Sequence, residues 1–180
     1  SEFQLKHDLP VRRDVPLICF PKPLEPPFSR AIKELLKRDV QVVAHRTGGD
    51  FTYLGERYTD RLTLVSGDVI DKSAIEASDA CVVGDDVDLA AKALQSSTLP
   101  IAGPIASANL VELEQSCQSG SGVLMDEISC EALVDAFGRM HAAFMSGHVF
   151  YGLLSRLPRY VPTWQGVAGH YLQVIESIDS

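Results

Sequence analysis

The residues of this 180-residue chain best equipped for chemistry sit in short stretches that follow apolar runs. His45-Arg46-Thr47-Gly48-Gly49-Asp50 sets an imidazole, a guanidinium, a hydroxyl and two glycines side by side. That set suits phosphate binding or acid/base work. It equally suits a plain strand-to-helix turn whose glycines take backbone angles closed to other residues. Asp85, Asp86 and Asp88 follow Gly84. Carboxylates so grouped can serve a metal or a reaction, and they can also cap and charge the first turn of a helix. Lys22 is the only cation in the stretch 21–29, among four prolines and Phe28.

Other candidates carry less. The four cysteines, Cys19, Cys81, Cys117 and Cys130, show no C-x-x-C spacing, and no histidine stands at a metal-ligand interval from them. Cys19 and Cys81 fall inside apolar runs, where a free thiol behaves as a small apolar side chain. His141 and His148 are two helical turns apart, but Gly147 interrupts the helix between them. Phosphate loops of the G-x-G-x-x-G and G-x-x-x-x-G-K-[ST] types are missing, as is the G-x-S-x-G elbow of a serine nucleophile. Tyr160 and Trp164, interleaved with Arg156 and Arg159, read as packing residues or as anchors for a protein contact. No metal or cofactor is expected.

Elements of strict alternation must position these groups. Residues 15–20 (VPLICF), 40–44, 62–65, 80–83, 99–102 and 122–125 are short apolar runs, as buried strands require. Helical spacing appears over 28–38, with Ser29 as a candidate N-cap, and over 51–58, 72–77, 87–96, 107–114 and 130–144. It recurs at 148–157 and at 164–178. Strands alternating with helices predict an α/β domain of Rossmann-like type, three layers about a mainly parallel six-stranded sheet. Ligands of such sheets bind beyond the carboxyl ends of the strands, where the strand order reverses. Residues 1–13 read as a cloning scar, Ser1-Glu2-Phe3, and a linker, and 14–180 as one domain.

Charge narrows the partners. A formal net charge of −8 and the absence of a local basic patch disfavour nucleic acid and anionic membrane surfaces. No apolar run reaches the roughly 18 to 20 residues of a membrane span. Reduced core cysteines point to a cytoplasmic setting. In the loops expected at the carboxyl ends of the strands, Glu25, Asp50, Asp68, Asp85, Asp86 and Asp88 face only Lys22 and Arg46. A diphosphate site needs the opposite sign.

Six strings, in order, resemble the C-terminal domain of bacterial glycogen and starch synthases, which are GT-B glycosyltransferases. They are LKHDLPVRRDVPLICF (5–20), RDVQVV with the Gly48-Gly49-Asp50 turn, ASDACVV (77–83), TLPIA (98–102), SGVLMDEISCEALVDAF (121–137) and TWQGVAGHYLQVIESI (163–178). In that family an Arg and a Lys in the first loop neutralise the diphosphate leaving group. The resemblance lays those positions on Pro23 and Phe28, and the glycine after them on Ser29. The family's E-P-C-G-L loop is shortened here to Gly84-Asp85-Asp86-Val87-Asp88-Leu89, and its T-G-G-L turn becomes 105–110, without glycine.

Neither a pyrrolidine nor a phenyl ring can donate to a departing phosphate, and stabilising that developing charge is what such catalysis depends on most. The expectation is therefore a pseudoenzyme, a non-catalytic interaction, regulatory or scaffolding module of a larger bacterial protein. It would engage a protein partner or a second copy through Pro23, Phe28, Tyr160 and Trp164, and nucleotide sugars are disfavoured. Two alternatives stand beside it. One is a glucosyltransferase half that binds an ADP- or UDP-sugar once joined to an N-terminal half. The other is a sugar-sensing module without turnover. Lys22, Arg46, Thr47, Gly48, Gly49, Asp85 and Asp86 are the residues through which a small ligand would be held.

Overall fold

The computed structural model describes residues 2–46, 48–66 and 72–161, the side chains of 48–52 excepted. Six strands, β1 (Leu17–Phe20), β2 (Gln41–His45), β3 (Leu62–Val65), β4 (Ala80–Gly84), β5 (Leu99–Ala102) and β6 (Val123–Leu124), form one sheet. All its pairings are parallel and its order is β3-β2-β1-β4-β5-β6. The chain builds outward from β1 to β3, returns to β4 beside β1, and builds outward again. The order therefore reverses between β1 and β4, where Ile18 faces Ala80 and Cys19 faces Cys81.

Every residue of β1, β2, β4 and β5 is buried, because helices cover both faces. On one face Ile18, Phe20, Val82 and Ile101 pack under α2 (Pro26–Leu35) and α6 (Cys130–Phe144). On the other, Leu17, Cys19, Val43 and Val83 pack under α1 (Glu2–Lys6), α4 (Lys72–Ala77) and α5 (Val87–Gln95). All four cysteines are free and buried. Helix α3 (Gly48–Arg57) follows β2, and α7 (His148–Leu154) follows Gly147, whose φ of 58° breaks it from α6. Among the described residues no helix is long and apolar enough to cross a membrane.

Several expectations need correction. Ser29 is not the N-cap of α2: the helix opens at Pro26-Pro27 behind Glu25, and the Ser29 hydroxyl donates to the Pro26 carbonyl at 3.0 Å. Proline suits that first turn because its missing N–H would have had no partner there. The stretch Gly48-Gly49-Asp50 opens α3 rather than preceding it as a turn. The helix expected over 107–114 is only a 3-10 turn, Ala106–Asn109. Beyond it the chain runs extended, and Glu112 bridges to Gly122 in parallel. Glu112 accepts from the Leu124 N–H at 2.7 Å and pairs with Arg139, which donates to the Leu124 carbonyl at 2.8 Å. Those bonds bind the short edge strand β6 to α6, and a helical Glu112 would forgo the bridge. The stretch expected as a linker holds α1, with Phe3 and Leu9 buried and the Pro10 carbonyl accepting from Gln41. The expected helix at 164–178 lies outside the described residues, as do Thr47 and Trp164.

Candidate functional site

A cleft of about 530 Å³ opens at the carboxyl ends of β1 and β4, at the reversal of strand order. Its floor is apolar: Phe20 and Val82 from the two strands, Phe28 from α2, and Ile128 from the loop after β6. The Phe20 and Phe28 rings meet edge-on, with centroids 6.3 Å apart. Gly84 ends β4 at a φ of 55°, and a side chain there would stand 3.6 Å from the Phe28 ring.

Among the described residues the rim is charged and holds one cation, Lys22, against four carboxylates, Glu25, Asp85, Asp86 and Asp88. Lys22 is ion-paired with Asp86. Asp86 is also the N-cap of α5 and accepts from the Leu89 N–H at 2.9 Å. The Lys22 ammonium, more than the cap, holds the Asp86 carboxyl below the usual carboxylate range. Asp85 accepts from the Ile105 N–H at 2.8 Å and so clips the loop after β4 to the loop after β5. Gly103 makes room for that clip, because a Cβ there would stand 2.6 Å from Asp85 Oδ1. Glu25 and Asp88 have no ion pair or side-chain hydrogen bond among the described residues.

The expected ligand-holding residues divide. Lys22, Asp85 and Asp86 meet at the rim, and Pro23 and Phe28 line the same cleft. Arg46 is exposed at the end of β2 and does not line it. Gly48 and Gly49 open α3, beyond that strand. His45 is buried and its Nε2 donates to the Pro21 carbonyl at 2.8 Å, so the imidazole anchors the loop after β1 instead of standing free for acid/base work. Tyr160 lies in the 3-10 turn Leu157–Tyr160, which packs against α5, and it does not join Pro23 and Phe28 in the cleft. Ile128 escaped sequence reasoning. It reaches the cleft from the loop between β6 and α6, and neither its residue type nor its spacing marks it as a lining residue. Among the described residues no cluster of three His, Cys, Asp or Glu is placed to hold a metal ion.

No protein-family model matches the chain, and no curated protein matches its sequence. Solved structures do match. A sucrose-phosphate synthase from Thermosynechococcus elongatus superposes with a TM-score of 0.57 at 18% identity, over 97% of this chain and 48% of that one. The Anabaena protein HepE, solved with UDP and glucose, gives 0.62 at 11% identity, over 99% and 51%. The C-terminal domain of a group 1 glycosyl transferase from Francisella tularensis gives 0.59 at 17% identity, over 89% of each chain. This chain thus spans about half the length of the first two and nearly all of the isolated domain. Its fold, a six-stranded parallel sheet with helices on both faces, is that of the C-terminal domain of GT-B glycosyltransferases.

Proposed function

We propose that this domain is a non-catalytic module on a glycosyltransferase scaffold, acting by protein contact or regulation within a larger bacterial protein. The observation that carries the reading is the charge of the cleft: among the described residues, one lysine, already paired with Asp86, against four carboxylates. A diphosphate brought there would meet a net charge of like sign. It would find Pro23 and Phe28 where a transferase of this architecture needs cations. The Asp86 carboxylate also occupies the start of α5, which would otherwise offer N–H groups to an anion. Apolar surface for a partner is at hand: Val87, which lines the cleft with Pro23 and Leu24, is 47% exposed, and Ile105, bonded to Asp85, is 66% exposed.

Isothermal titration with ADP, UDP and their glucose conjugates tests the reading. No heat is expected, and binding in the micromolar to millimolar range would overturn it. Size-exclusion or pull-down experiments with the parent protein should then reveal a partner or a self-dimer. The competing reading, a glucosyltransferase half completed by a further domain, draws its support from neighbours of which this chain covers about half. It predicts nucleotide binding that strengthens when that other half is supplied.

A further inference from the structure

We propose that the cleft between the β1 and β4 loops is a binding site for a small organic ammonium ion with an apolar body. The inference rests on the reading that this cleft rejects anions, and it goes further by naming what the cleft would accept. Its volume of about 530 Å³ lies within the range of small-molecule sites. The Phe20, Phe28, Val82 and Ile128 floor suits a hydrocarbon or aromatic ring, and Phe28 is only partly buried. An aromatic face attracts a cation through its quadrupole and repels an anion.

At the mouth the carboxylates have unequal duties. Asp85 is engaged by the Ile105 N–H, and Asp86 by Lys22 and the Leu89 N–H. Glu25 and Asp88 have no such partner among the described residues. An ammonium seated over the floor would therefore find two carboxylates uncommitted. The chain's own Lys22 ammonium, held at the same rim by Asp86, is an internal instance of that recognition. It also competes for it, so removing the lysine should improve the site.

The probe is 2-phenylethylammonium, with 2-phenylethanol as its neutral isostere and ADP as the anion, each titrated calorimetrically into the intact protein. The ammonium should bind at least about tenfold tighter than the alcohol, with ADP silent. Glu25→Gln with Asp88→Asn should weaken it several-fold without altering the melting curve, since both side chains are exposed. Lys22→Met should strengthen it by freeing Asp86, a gain that a purely structural lysine would not give. Equal binding of amine and alcohol, no binding of either, or a Lys22→Met variant that binds the amine no better would overturn the proposal. If the amine fails while ADP stays silent, the ligand class falls and the non-catalytic reading survives. If ADP binds, both fall.

Discussion

At the amino-terminal end of the sheet, Gln41 donates to the carbonyls of Pro10 and Asp60 at 2.8 and 3.0 Å, and Thr98 donates to Ile75 at 2.7 Å. There Asp79 accepts from the Leu17 N–H at 2.8 Å. At the carboxyl end Glu25 and Asp88 stand over an apolar floor without such partners among the described residues. Both ends hang on the same buried strands, so the difference is not one of local stability in the sheet. Polar side chains at one end satisfy backbone groups that the helices cover, as burial demands. At the other, some are left over in a hollow, where they are free to meet something else. That is the end at which the binding site is proposed.

That contrast can be broken by substitution. The largest effect is expected from Asp79→Ala, which leaves the Leu17 N–H without its acceptor and should cost about 1–3 kcal/mol in urea unfolding. Next comes Asp86→Ala, which removes the cap of α5 and should cost about 1 kcal/mol. The Asp86 carboxyl titrates below its ordinary 3.8 when folded, so its contribution is present above that pH and is lost as pH falls through the lowered folded value. The gap between wild type and Asp86→Ala should therefore narrow in acid melts.

A smaller effect of opposite sign is expected from Asp79→Asn. Burial outweighs the hydrogen bond from Leu17 and pushes the Asp79 carboxyl above 3.8. For an acid so raised, the favourable contribution is complete below 3.8 and is lost as pH rises through the folded value. At pH 7 the ionised carboxylate is thus a burden that asparagine lifts while keeping the acceptor for Leu17. The variant should melt higher than wild type at pH 7, and the gain should vanish below pH 3.8. Smallest of all, Glu25→Gln and Asp88→Asn should each change stability by less than about 0.5 kcal/mol in thermal melts, their effect being confined to binding. A large loss of stability there would erase the distinction between the two ends.

How far the letters carried depends on the range of the interaction. The apolar runs and the 3.6-residue spacing of α6 marked most of the elements because burial on both faces of a parallel sheet leaves a strong local pattern. The segment 107–114 misled for the same reason. Its leucines and glutamates suit a helix, yet Glu112 is claimed by Leu124 and Arg139, partners that only the folded chain brings near. The stretch around α1 looked like a linker because Phe3 and Leu9 are too few to show a period, although both are buried.

From residue types alone follow the alternation of strands and helices and the excess of carboxylates in the loops. Those are properties of composition and short spacing, and they survive any arrangement in space. Folding alone decided that Lys22 commits its charge to Asp86, that Ile128 closes the cleft floor and that His45 is locked under Pro21. Each joins segments distant in sequence, and which segments meet is set by the order of strands in the sheet.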